Sequence, residues 1–267
     1  MDISIIIPVF NKLEYTKLCL MSLQNSCPET NKIIVIDNGS SDGTIEYLRG
    51  LEGISVIRNE TNLGCAGAWN QGVSNTQSEW VVILNNDVIL SRGWLEGLIE
   101  FAEESCTDVA SPAIREGDYN YDIEAYACEF VRSMGHVSRP GEAHGICFMA
   151  RRRVFEKIGL FDENFRIGQF EDADFFRRAT AAGFSLGITG RSFIHHFGSM
   201  TQKLLGQTPY ATENRAYFHK KWHLTWWRRF LLRRRNKWLN LYRRTKEKAL
   251  YRHTLIEKWI DGRLRYF

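Results

Sequence analysis

Apolar residues fall into short runs over the first hundred positions, separated by stretches where they recur at helical spacing. Ile3 to Val9 is apolar almost throughout, as expected of a strand covered on both faces. Lys12 to Asn25 follows with Leu13, Leu18 and Leu23 at helical intervals. Lys32 to Ile36 predicts a second buried strand, ending in a run dense in turn formers, Asp37 to Gly43. A short helix (Thr44 to Arg49), a strand (Ile54 to Arg58), a helix from about Cys65 to Asn75 and a strand (Trp80 to Leu84) complete the series. This alternation predicts an α/β fold with a mostly parallel sheet and helices on both faces.

The rhythm loosens beyond about residue 105. Gly117 to Gly141 shows no clear period and reads as loops and short strands. Gly145 to Ala150 predicts a strand, with helices starting near Arg151 and running from Glu171 to Ala182. Ser192 to Gly198 holds a further strand, and from about 209 the chain reads as helical and basic. Two units are expected, 1–208 as an α/β domain and 209–267 as a helical extension. Trp69, Trp80 and Trp94 fall where core packing is the common use of a tryptophan.

Composition adds a charge division. The net charge of +4 hides thirteen Lys/Arg and a single acid, Glu247, between His219 and Arg252, so the body of the chain is acidic. In Trp222 to Tyr242, helical geometry gathers Trp222, Trp226, Trp227, Phe230, Leu231, Trp238 and Leu241 on one arc. Most of the arginines fall opposite, the pattern of a helix lying on a membrane surface. No nucleic-acid-binding motif accompanies the charge. No run approaches the roughly 18 apolar residues of a membrane span, and the N-terminus does not read as a signal peptide. Six scattered cysteines without C-x-x-C spacing fit a reducing cytoplasm better than a disulfide or zinc framework.

In an open parallel sheet, ligands bind beyond the carboxyl ends of the strands. Three such ends are polar here: Pro8-Val9-Phe10-Asn11, Asp37-Asn38, and Asn85-Asn86-Asp87. One alone would be an ordinary turn; three converging ends favour a nucleotide site.

At this point the chain resembles the family-2 glycosyltransferases of GT-A fold, inverting enzymes with a Rossmann-like sheet. The resemblance covers about residues 1 to 200. It rests on P-V-F-N (Pro8 to Asn11), I-D-N-G-S-S-D-G-T (Ile36 to Thr44), N-L-G-x-A-G-A-x-N-x-G (Asn62 to Gly72) and L-N-N-D (Leu84 to Asp87). G-x-C-F-M-A-R-R-x-V-F (Gly145 to Phe155) and F-E-D-A-D-F (Phe170 to Phe175) continue it. The resemblance implies that Pro8, Val9, Phe10 and Asn11 line a nucleotide pocket. It gives Asp37 the base, with Asn38 and Asp42 in the same loop, and makes Asn62, Gly64 and Asn70 the wall beside the diphosphate. Asn85, Asn86 and Asp87 occupy the D-x-D position, with Asp87 as metal ligand. Asp172 matches the base that deprotonates the acceptor, and Glu171 would position that acceptor. A divalent metal, Mn²⁺ or Mg²⁺, would neutralise the departing diphosphate.

One departure matters: Asn85 stands where the motif's first carboxylate should be, bringing no charge. His196 is the expected additional metal ligand. On a strand, His195 and His196 point to opposite faces, so only one of them serves a site. The expected activity is transfer from a UDP- or dTDP-sugar to a hydroxyl of a glycan or lipid-linked acceptor. The setting implied is the inner face of the cytoplasmic membrane, in surface polysaccharide synthesis, as in rhamnosyl- or galactosyl-type relatives. A homo-oligomer is left open. The competing readings are a sugar-nucleotide nucleotidyltransferase and an inactive carbohydrate-binding relative. Phe10-Asn11-Lys12-Leu13 lacks the glycine-rich loop the former needs.

Overall fold

The computed structural model of the chain describes residues 2–26, 32–198 and 210–267. The apolar runs form the middle of one sheet. β1 (Ile3–Val9), β2 (Lys32–Asp37), β3 (Ile54–Arg58) and β4 (Trp80–Leu84) lie in the order β4-β1-β2-β3, all parallel. Parallel neighbours need a crossover, which α1 (Leu13–Ser26), α2 (Thr44–Arg49) and α3 (Gly64–Ser74) supply. Successive side chains of β1 enter opposite layers: Ile5 and Ile7 join Leu20, Leu23 and Trp94, whereas Ile6 joins Ile34, Trp69 and Phe148. Trp69, Trp80 and Trp94 are all buried in these layers.

Further along come β5 (Val88–Leu90), α4 (Trp94–Glu104), β6 (Val109–Glu116), α5 (Ile123–Met134), β7 (Ser138–Pro140) and β8 (Cys147–Arg151). α6 (Arg152–Ile158), α7 (Glu171–Ala181) and β9 (Leu186–His196) follow. β8 runs antiparallel between β4 and β6, and β9 pairs in parallel with β6 and antiparallel with β5 and β7. Here the structure corrects the expectation of loops and short strands for 117–141, because α5 occupies its centre. Asp122 caps that helix by accepting from the backbone of Glu124 and Ala125, and Ile123, Ala127, Phe130 and Met134 form its buried stripe. β6 escaped the pattern because Pro112 interrupts it. The register with β9 shifts between Pro112 and Ala113, which accommodates a residue with no N–H to give. Arginines at the end of β8 and just beyond it fasten the fold: Arg151 bridges Glu79 and Glu103, and Arg153 pairs with Asp108.

α8 (Ala211–Lys221) and α9 (Trp226–Leu250) carry the expected helical, basic character. The chain then returns to the sheet. β10 (Ile256–Ile260) pairs in parallel with β6, and β11 (Arg263–Tyr266) closes the edge as an antiparallel partner. The boundary expected between 208 and 209 lies outside the described residues, as does Cys27. Among the described residues no helix is long and apolar enough to cross a membrane.

Candidate active site

Strand register assembles a row of charged groups across four strands. His196 ends β9, where it stands opposite Val88 of β5 and Glu116 of β6; Glu116 in turn stands opposite Lys258 of β10. Asp87 immediately precedes β5, and its backbone carbonyl accepts the N–H of Phe197. His196 Nε2 therefore lies 3.4 Å from Asp87 Oδ1, and Nδ1 lies 3.2 Å from Glu116 Oε2. Lys258 Nζ reaches the other Glu116 oxygen at 2.8 Å. Burial opposes a charged imidazole, yet the Asp87 and Glu116 carboxylates outweigh it and carry His196 up to about 9. Glu116 is held down at about 2, first by its bond to His196 and against the pull of burial. His195 points to the opposite face, with Nδ1 3.0 Å from the Tyr121 hydroxyl in an aromatic cluster, so of the two histidines only His196 lies beside Asp87. The sequence reading missed Glu116 and Lys258. Their signal was a polar strand end like the other three, hidden once β6 itself had gone unrecognised.

The second half of the site is a cavity of about 490 Å³ whose wall includes Asn85, His144, Gly145, Glu171 and Asp172. Asn85 enters from the end of β4, with its N–H bonded to the Ile146 carbonyl at 2.9 Å. Glu171 and Asp172 open α7, where the helix dipole favours acids. Burial, then the charge of Asp172, pushes Glu171 well above the ordinary carboxylate range, and burial raises Asp172 in turn. Asp172 accepts the Ala173 N–H at 2.7 Å and a backbone hydrogen bond from Gly145. A Cβ at position 145 would sit 2.4 Å from Asp172 Oδ2, so the carboxylate occupies the room a larger residue would need.

The segment before the pair is strained and clamped. Ile167, Gln169 and Phe170 all have positive φ, at 64°, 80° and 78°. Asn214 of α8 is buried beside them. Its Nδ2 donates to the carbonyls of Arg166 (2.9 Å) and Gly168 (2.8 Å), and its Oδ1 accepts the Arg166 N–H at 3.1 Å. Asp174, the third acid of the cluster, is structural: Arg178, Lys221 and the Trp222 indole all bind it.

At the nucleotide end, Asp37 is fully buried where β2 stops. Its Oδ1 accepts the Ser40 N–H at 2.9 Å, and Oδ2 faces Arg58 at 3.4 Å. Asn11, at φ 54°, accepts the Ser41 N–H and so ties the ends of β1 and β2 together. Pro8 and Phe10 are half-buried on this rim, whereas Val9 points into the core. Asp42 binds the Leu13 N–H and the Thr44 hydroxyl, holding the first turns of α1 and α2. Asn62 accepts the Gly64 N–H at 2.8 Å, and Asn38 donates to the Gly64 carbonyl at 3.2 Å. Asn70 spends its amide on Phe161 and Glu163, and Asn86 donates to Thr16. Asn70 and Asn86 thus brace the walls of the site.

This sheet with polar carboxyl ends is the GT-A architecture, and solved structures share it. One described as GalNAc-T7 with UDP, GalNAc and Mn²⁺ superposes with a TM-score of 0.60 at 17% identity, over 73% of this chain and 44% of that one. Staphylococcus aureus TarS 1-349 in complex with UDP-GlcNAc gives 0.58 at 18% identity, over 73% and 58%. Residues 4–171 match the family described as glycosyl transferase family 2, and the chain belongs to that family. Glycosyltransferase AglE of Haloferax volcanii is 25% identical over 217 residues, covering 75% of this chain and 70% of its own. Glycosyltransferase GlyG of Streptococcus pneumoniae is 27% identical over 124 residues, covering 45% and 40%. These matches make the protein a glycosyltransferase of that family.

Proposed function

We propose that the enzyme inverts the anomeric centre of a UDP- or dTDP-sugar in one displacement onto a hydroxyl of a glycan or lipid-linked acceptor. The observation that carries this is the shared cavity: Asn85, from the position of the family's metal motif, and Asp172, the proposed base, line one space. Asp172 takes the acceptor's hydroxyl proton, the freed oxygen bonds to the anomeric carbon, and the bond to the diphosphate breaks with its electron pair leaving on the nucleotide. Glu171, protonated by its burial, donates to the acceptor and keeps a second negative charge away from the attacking oxygen. Asp37, Asn11 and Phe10 hold the nucleotide, with Asn38, Asp42, Asn62 and Gly64 shaping the loops around it.

The residues fit a divalent metal, Mn²⁺ or Mg²⁺. Asp87 supplies a hard oxygen, and His196 turns Nε2 to the same point while Glu116 fixes its other nitrogen, the usual support of a ligating histidine. No group of three or more such side chains converges among the described residues, so Asp87 and His196 would hold the metal only together with the bound donor. When bound, it would neutralise charge on the leaving diphosphate. The solved neighbours in complex with UDP and Mn²⁺ or with UDP-GlcNAc support this reading.

Thermal shift with UDP and dTDP, with and without Mn²⁺, tests it. One nucleotide should stabilise the protein only when metal is present, and Asp87→Ala should abolish that gain. Stabilisation independent of metal in both proteins would sink the metal assignment. With an active donor, Asp172→Asn should cost about 10²- to 10⁴-fold in turnover. Peripheral binding to a membrane through α9 completes the proposal.

A further inference from the structure

The last residue of β6 and the one after it both hold His196. Glu116 Oε2 meets the ring at Nδ1, 3.2 Å away, and the Gly117 N–H donates to the His196 backbone carbonyl at 2.9 Å. Each of these two residues is in turn held by β10. Lys258 Nζ lies 2.8 Å from the second Glu116 oxygen. Gly117 has φ 123°, and a Cβ there would meet the Trp259 Cβ and carbonyl oxygen at 2.8 Å. Only glycine lets the two backbones come this close.

A buried socket on the other face of β10 fixes its register. Successive residues of a strand point to opposite faces, so Glu257 turns away from Glu116. It is fully buried, and it accepts from the Tyr126 hydroxyl and the Thr254 N–H, with His253 Nδ1 3.1 Å away. Arg115, its partner on β6, is buried with its guanidinium 4.9 Å from the centre of the Tyr126 ring. A slip that set Glu257 opposite Glu116 would bring two carboxylates together and empty the socket. The pairing of Glu257 with Arg115 and of Lys258 with Glu116 is therefore strongly specified.

We infer that Lys258 is a positioning residue for the donor site: by holding one oxygen of Glu116 it fixes the other on His196, and so keeps His196 Nε2 turned to Asp87. This rests on the metal reading above and gives a part in it to a strand beyond the matched residues 4–171. The terminal torsion of a glutamate is soft, so a carboxylate held at one oxygen only is free to turn. Contacts on both oxygens stop that rotation. Two plainer roles for Lys258 make different predictions. A surface ion pair that ties two strands has no effect on a metal. A purely electrostatic role has the opposite sign, because removing a cation near the site favours a divalent ion.

The test measures the affinity of the full chain for UDP and dTDP by isothermal titration calorimetry, in excess Mn²⁺ and again in EDTA. Lys258→Met should weaken binding in Mn²⁺ by about tenfold, the scale of losing an outer partner of a ligating histidine, and leave binding in EDTA unchanged. Lys258→Arg keeps a charged donor and should restore most of the loss. In a His196→Gln background, Lys258→Met should cost nothing further, because its route to the metal is gone. Lys258→Met that binds like the wild type in Mn²⁺, or tighter, overturns the inference. So does an equal loss in Mn²⁺ and EDTA, which would make Lys258 an ordinary strand tie, or a full loss in the His196→Gln background. A wild-type chain whose nucleotide affinity ignores Mn²⁺ removes the metal reading and this inference with it, so the two failures are told apart.

Discussion

The Asp172 carboxylate and any side chain at position 145 compete for one volume. A methyl there would lie 2.4 Å from Oδ2, far inside contact distance, so Gly145→Ala must move either the strand entry or the carboxylate. If Asp172 is the base proposed above, its displacement costs alignment with the proton, so kcat should fall about 10- to 100-fold while KM for the donor changes little. Steady-state kinetics with the donor varied checks this, and an unchanged kcat would show that Asp172 is not held by that contact. Glu171 carries a pH signature. Its native affinity for a proton is raised by burial and by Asp172. Above the ordinary glutamate range the folded chain therefore keeps a proton that the unfolded chain has released, and stability falls as pH rises toward the raised value. Glu171→Gln should match the wild type near about pH 5 and exceed it near about pH 9, read by urea unfolding at both. Equal stability at both would place the Glu171 charge in water. At this scale the motifs singled out Asp87, Asp172 and His196 as candidates, and the structure sets His196 beside Asp87 and Asp172 in one cavity with Asn85. Gly145 was visible only as a motif letter, because its reason is an atom from a segment 27 positions away.

At the scale of elements, β1 to β4 and α1 to α3 could be read within a residue or two, since local periodicity and burial on both faces agree there. β6 and α5 could not, for opposite reasons. A proline in mid-strand is tolerated only because β9 shifts register beside it, a tertiary accommodation. In α5 the stripe of Ile123, Ala127, Phe130 and Met134 is a proper helical signal, diluted by the tyrosine and acidic positions around it. The clamp of α8 on the Arg166–Gln169 backbone was equally hidden, because an asparagine in a basic stretch announces nothing. Asn214 satisfies three polar groups of a loop held at positive φ. Asn214→Ala leaves those groups unpaired, at a cost of about 1–3 kcal/mol. The loss should be concentrated in the loop that leads into Glu171. Hydrogen exchange should quicken at 166–170 and kcat should drop, with β1 to β4 keeping their protection. Uniform exchange across the chain would make Asn214 an ordinary stabiliser.

Over the whole molecule, the extension is part of the machine at two levels. Its last strands extend the sheet and deliver Lys258 to Glu116, behind the proposed metal ligands. Its long helix presents the apolar arc outward: Trp226, Trp227, Leu231 and Trp238 are each more than half exposed, so no other part of the described chain covers them. Stacking of Trp226 on Trp227 and of Trp238 on Tyr242 shields little of this surface. An apolar stripe flanked by arginines suits an interface between hydrocarbon and anionic headgroups. The protein should therefore pellet with phosphatidylglycerol vesicles and much less with phosphatidylcholine. Three exposed arginines on this helix, Arg233, Arg234 and Arg244, contribute about 1 kcal/mol each at an anionic surface. Replacing all three by serine should weaken binding roughly a hundredfold. High salt should mimic that loss, because at about 1 M the screening length shrinks to about 3 Å. Trp227→Ser with Trp238→Ser should weaken binding at every salt concentration, since burial of an aromatic ring is not screened. If instead both variants pellet like the wild type, the stripe is covered by another protein and the membrane assignment falls.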